Sequence, residues 1–153
     1  VDNTLLPQFS QRVPEAVIEK LRLARQQGWI QRACLLSNAM FGSERHLRLE
    51  RIGAHLGIPD LFAADFWSPK PHPVGFYWAL ERMRSTPRNT AIVGDQMYSD
   101  IVGGNRMGLY TVMVTPTGPD HWSTGLVLRR LREWWVLRHY GVERPRPRQE
   151  PHQ

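Results

Sequence analysis

Three short apolar runs, RACLL at 32–36, TAIV at 90–93 and YTVMV at 110–114, alternate along the chain with segments whose apolar residues fall three and four apart. Runs this short and apolar read as buried strands. Val17, Leu21 and Ala24 share one helical face after Pro14, a residue suited to a first helical turn. Leu47, Ile52 and Leu56 define a second helix, opened by Ser43 as a candidate cap and closed by Gly57. Phe76, Leu80 and Met83 define a third. Strands and helices alternating in this way build right-handed βαβ units around a mainly parallel sheet, so the expected class is α/β. Ligands of such sheets bind beyond the carboxyl ends of the strands, which directs attention to the residues just after each run.

The composition agrees with one packed domain. Of the 153 residues, 41% are hydrophobic and 22% charged, enough apolar surface for a core and too little charge for global disorder. There are 20 basic and 14 acidic residues, a net charge of +6, and Lys20 and Lys70 are the two lysines among the bases. A single cysteine, Cys34, excludes an intrachain disulfide framework and a multi-cysteine zinc site, and suits a reducing compartment. No apolar run approaches the roughly 20 residues of a membrane span, and no signal-peptide pattern opens the sequence, so a cytoplasmic location is expected.

The boundaries follow from composition. Residues 1–118 carry the alternating pattern, and the turn-rich TPTGPD at 115–120 ends it. Residues 119–142, which include WSTGLVLRRLREWWVLRHY at 122–140, read as a basic helix packing on the core. The other reading of this helix is a Trp- and Arg-rich surface lying on an anionic membrane. The tail, 143–153, is rich in Arg and Pro and is expected to be disordered.

The polar residues that follow the strands are Asp2 and Thr4, then Ser37-Asn38, then Lys70, then Gly94-Asp95-Gln96 with Asp100 behind it. Each has an ordinary reading alone. Asp2 is a solvated carboxylate, Ser37-Asn38 a turn, Lys70 a surface charge between prolines, and Asp95 a helix cap. Together they are a hydroxyl, an ammonium and several carboxylates converging on one sheet edge, a set suited to Mg²⁺-assisted phosphoryl transfer. Gly103-Gly104 costs helix propensity and reads as close packing of helix on sheet. Met97 and Met107 read as core, His72 as a solvated loop residue, and Cys34 as an inert packed thiol. The six histidines show no metal-ligand spacing.

In their order and spacing, VDNTLLP at 1–7, LLSNA at 35–39, KPHPVGF at 70–76 and GDQMYSDIVGGNRMGLYTVMV at 94–114 resemble the haloacid dehalogenase (HAD) superfamily. They look most like its YqeG-like subclass IIIA phosphatases, a group related to the phosphatidylglycerophosphate phosphatases. The resemblance covers residues 1–118 and implies a HAD-like Rossmannoid three-layer fold. It also implies an aspartyl-phosphate mechanism. By position, Asp2 would be the general acid/base, and the nucleophilic aspartate would stand one residue before Val1. The sequence would therefore begin inside this motif, with the first central strand largely missing and the chain marginally stable. Ser37 and Asn38 would bind the phosphoryl group, and Lys70 would pair with nucleophile and phosphate. Mg²⁺ would be held by Asp95, supported by Asp100, with the backbone carbonyl of Asp2 as a further ligand.

Thr4 to Ser37 spans 33 positions and Ser37 to Lys70 another 33, which leaves no room for a cap domain. An open site suits a bulky phosphorylated substrate, and the relation to lipid phosphatases suggests a lipid phosphate at a membrane surface. A catalytically dead HAD-fold binding protein is the other alternative. The +6 charge and Arg-Pro tail raise nucleic acid as a partner, but no nucleic-acid motif is present, so no specific contact is expected.

Overall fold

The computed structural model describes residues 1–38, 43–65, 67–118, 134–135 and 138–139. The segments 119–142 and 143–153, read from sequence as a packed helix and a disordered tail, lie outside the described residues apart from Trp134, Trp135, Arg138 and His139.

After an irregular entry segment come α1 (Glu15–Gln26), β1 (Leu35–Ser37), α2 (Ser43–Leu56), β2 (Leu61–Ala63) and α3 (Val74–Arg82). A 3₁₀ turn (Pro87–Asn89) leads into β3 (Ala91–Gly94). A π-helical stretch (Met97–Val102) then runs into α4 (Gly103–Arg106), and β4 (Tyr110–Met113) follows. Pro14 precedes α1 as expected, its fixed φ of −60° leading into the helix. α2 ends at Gly57, whose φ of +61° lets the Ile58 N–H turn back to the Gly53 carbonyl. Arg25 on α1 donates to the Leu56 and Gly57 carbonyls and so caps the same end.

Among the described residues all strand pairing is parallel. β1 pairs with β2 from Leu35↔Leu61 to Ser37↔Ala63, and β3 pairs with β4 from Ala91↔Tyr110 to Gly94↔Met113. The first strand is shorter than the run at 32–36 suggests, because its partner begins only at Leu61. Cys34 therefore lies just before the strand rather than within it. The expected sheet is divided: among the described residues the strands form two two-stranded sheets. An apolar groove of about 820 Å³ separates them, lined on one side by Cys34 and Leu36 and on the other by Ala91 and Val93, and it reaches Val1 and Lys70.

Two cores sit against the sheets. Leu6, Val13, Leu35, Leu49, Ile52, Leu56 and Ile58 pack with the inner faces of α1 and α2. Phe76, Leu80 and Leu109 pack with Leu36, Ile92 and Met107. The Gly103-Gly104 pair has the packing role expected of it. A Cβ on Gly103 would strike the Phe76 ring, and one on Gly104 would strike Ile92 and Thr111. Met97 is buried, as expected. Among the described residues no helix is long and apolar enough to cross a membrane.

Candidate active site

The carboxyl ends of β1 and β3 and the entry segment converge. Asn3 makes the entry turn possible: it is buried, holds φ +58°, and accepts the Gln8 N–H on its side-chain oxygen. Asn is one of the few side chains tolerated in that backbone region, because its amide bonds locally. The turn sends Thr4 inward, where its hydroxyl donates to Asp95 Oδ1 at 2.8 Å.

Asp95 follows the last residue of β3 and is 6% exposed. Burial raises its carboxyl pKa, the Thr4 hydrogen bond opposes that rise, and the nearby Asp100 charge adds to it. Asp100 is 3% exposed and lies on the π-helical stretch. Its Oδ1 accepts from Lys70 Nζ at 2.6 Å and its Oδ2 from the Gln96 N–H at 3.1 Å. Gly94 leaves the room for this: a Cβ there would collide with the Asp100 carboxyl group.

Lys70 arrives on the loop after β2, with a cis bond to Pro71. Its Nζ also donates to the Leu36 carbonyl at 3.0 Å. Its main chain is held by Asn38, whose Oδ1 accepts the Lys70 N–H at 2.8 Å and whose Nδ2 donates to the Lys70 carbonyl at 3.3 Å. Sequence reading places Asn38 at the phosphate; in the structure its side-chain amide is engaged in orienting the lysine loop. Ser37 ends β1, and its hydroxyl makes no protein hydrogen bond among the described residues. His72, by contrast, is exposed, as expected.

Asp2 stands apart from this set. Its carboxylate pairs with Arg48 of α2 at 2.6 Å and accepts the Phe9 N–H at 3.3 Å. Sequence reading missed Arg48, which lies in a helix with several exposed charges and no motif around it. Val1, by contrast, lines the same groove as Lys70.

Among the described residues no three His, Cys, Asp or Glu side chains gather as a ligand group. What is present is a pair of buried carboxylates, Asp95 and, behind it, Asp100, which Lys70 and Gln96 already engage. Mg²⁺ commonly takes one or two protein carboxylates and fills its shell with waters and substrate phosphate oxygens, so this donor set fits it. A dication would also favour the ionised form of Asp95, which burial disfavours.

Comparison with known proteins gives a consistent result. The HAD-hydrolase-like family matches residues 68–120. The chain is 29% identical over 133 residues to "Probable phosphatase YqeG" of Bacillus subtilis, covering 87% of this chain and 69% of that protein. It is 39% identical over 103 residues to "Phosphatidylglycerophosphate phosphatase 1, chloroplastic" of Chlamydomonas reinhardtii, covering 65% of this chain but 36% of that one. Among solved structures, the HAD phosphatase from Thermococcus onnurineus superposes with a TM-score of 0.54 at 21% identity, over 88% of this chain and 60% of that one. That likeness shows a shared α/β fold.

Proposed function

We propose that the chain is a YqeG-like member of the HAD hydrolases and a Mg²⁺-dependent phosphomonoester hydrolase acting through an aspartyl-phosphate, a reading supported by its likeness to the HAD-hydrolase-like family over residues 68–120 and to the Bacillus protein. The observation that carries the reading is the convergence of Thr4–Asp95 and Lys70–Asp100 at one sheet edge, drawn from three distant parts of the sequence. The reading assigns the attacking carboxylate to the position directly before Val1. Support comes from Val1, which lines the same groove as Lys70.

In this mechanism the Lys70 ammonium offsets repulsion between the nucleophile and the phosphate oxygens, while Asp100 fixes its position. The Ser37 hydroxyl, with no protein partner among the described residues, donates to a phosphoryl oxygen. Asp2 protonates the departing oxygen and then takes a proton from the hydrolytic water. Asp95 and the Asp2 carbonyl would hold Mg²⁺, and Asp100 would support the site from behind. When bound, the ion supplies charge neutralisation at the phosphate.

The test is hydrolysis of an aryl phosphate by the full-length protein with and without Mg²⁺, beside Asp95→Asn. Activity that needs Mg²⁺ and is lost in the variant is expected. Equal activity after removal of the metal by chelation overturns the Mg²⁺ reading.

A second reading, a lipid phosphate as substrate at an anionic membrane, draws on two observations. One is the likeness to the Chlamydomonas protein. The other is the exposure of Trp134 and Trp135, at 55% and 59%, with the Arg138 guanidinium 5.3 Å from the Trp134 ring. Amphipathic aromatic and cationic side chains together suit a headgroup interface. Co-sedimentation with anionic vesicles that weakens with salt is expected, and no binding at low salt removes this reading.

A further inference from the structure

Among the described residues the sheet of β3 and β4 is packed on one face only. Its register sets Ala91 beside Tyr110 and Val93 beside Val112, and alternate residues of a strand point to one side, so these four share a face. All four are exposed, with Val93, Tyr110 and Val112 at 51%, 67% and 45%. The other face carries Ile92, packed with Phe76 and Leu80, and Thr111, which lies with Ile92 against Gly104. Parallel sheets are ordinarily covered on both faces.

β1 identifies the layer that is open. Leu35 packs into the core of α1 and α2, and its neighbour Leu36 into that of α3. Ile92 joins the α3 core, so Ala91 and Val93 look toward the layer of α1 and α2, which leaves them exposed. The chain returns to this layer after β4. The Thr117 N–H donates to the Asn3 carbonyl at 2.9 Å, and a Cβ on Gly118 would stand 3.3 Å from Pro7. Pro7 follows Leu6, a fully buried member of the core of α1 and α2. Gly118 is therefore anchored on the side that the bare face looks to.

The sequence beyond it has the right shape for a cover. On a helix Val127, Leu128 and Leu131 fall within about 100° of arc, with Arg129, Arg132 and Glu133 on the far side. Each of the two strands has four residues, about 13 Å, which about nine helical residues span. The stretch from Ser123 to Leu131 supplies that length. Trp134 and Trp135 come after it, and both are exposed.

We propose that the face formed by Ala91, Val93, Tyr110 and Val112 is the docking site of this chain's own residues 123–133, which lie outside the described residues. Val127, Leu128 and Leu131 meet the sheet, and the arginines between them face water. The assignment is independent of the phosphatase reading.

The test reads thiol accessibility on the full-length protein with Cys34 replaced by Ala. A cysteine is placed at Val112, or at Leu47 of α2, which is 50% exposed and serves as the reference. Alkylation by iodoacetamide in native buffer is expected to be about 10-fold or more slower at 112 than at 47. Leu128→Asp with Leu131→Asp, which places charge on the stripe, is expected to bring the two rates within about 2-fold. Arg129→Asp with Arg132→Asp, on the far side, is expected to leave them apart. Should Val112→Cys fail to fold, Tyr110→Cys reads the same face, and Leu131→Gln alone replaces an aspartate pair that unfolds the chain. Similar rates at 112 and 47, or a slow rate that survives the aspartate pair, overturn the proposal. So does protection that is lost on dilution, which assigns the face to a second copy. Protection that appears only with anionic vesicles assigns it to a membrane and overturns the proposal as well.

Discussion

The Thr4 hydroxyl donates to Asp95 Oδ1 at 2.8 Å across 91 positions of sequence, joining the entry turn to the end of β3. It is a neutral donor on a buried carboxylate, and it opposes the rise that burial imposes on the Asp95 pKa. Replacing Thr4 with Val keeps the shape and removes the donor. The expected loss is about 1–3 kcal/mol of unfolding free energy at neutral pH, because the carboxylate then stays buried with one fewer partner. Urea denaturation of the variant measures it, and a midpoint equal to the parent's would refute this account.

Lys70 and Asp100 are 10% and 5% exposed, so removing one charge strands the other away from water. Lys70→Met is expected to cost about 3–5 kcal/mol. Lys70→Met with Asp100→Leu should cost less than Lys70→Met alone, since no bare charge remains. Denaturation of the single and double variants forms a cycle, and simple additivity would show that the pair is not coupled.

Gly94 has a steric reason to be glycine. A Cβ at this position meets the Asp100 carboxyl group, which Lys70 holds in place. Gly94→Ala is therefore expected to destabilise by about 1–3 kcal/mol, the usual cost of overpacking. A thermal melt reads the effect, and an unchanged Tm would show that Asp100 moves aside freely.

Burial pushes the Cys34 thiol from 9.0 up to about 11, with the Asp60 charge adding to the rise. At pH 8 the native thiolate fraction is then about 100-fold below that of the unfolded chain. Alkylation by iodoacetamide should be slow in buffer and fast in urea. The folded pKa is the higher one, so the contribution to stability is complete below about pH 9 and is lost as pH rises through about 11. Equal alkylation rates in the two conditions would place the thiol in water.

Much of the architecture was legible in the residues. The helix after Pro14, the one closed by Gly57, and the strands at TAIV and YTVMV were all found, because periodicity and end signals are local properties. The close packing behind Gly103-Gly104 was legible as well, since two glycines inside a helical stretch ask for a reason. The limits of β1 were not, because a strand extends only where a partner lies beside it, and that partner begins 26 positions later at Leu61. The C-terminal segment at 119–142 lies outside the described residues apart from Trp134, Trp135, Arg138 and His139.

For the site, sequence by itself determined which chemical groups stand at strand ends: Thr4, Ser37, Lys70, Asp95 and Asp100 in an order that suits phosphoryl transfer. Only the tertiary structure decided what each one touches. The Asn38 side-chain amide binds the backbone of Lys70, and Asp2 is taken by Arg48, a residue with no signature of its own. The strands likewise meet as two pairs across a groove. The physical reason is common to all three. Periodicity and motif spacing are written in neighbouring residues, whereas a hydrogen bond or ion pair depends on separations of a few ångströms between groups that only the packed chain brings together.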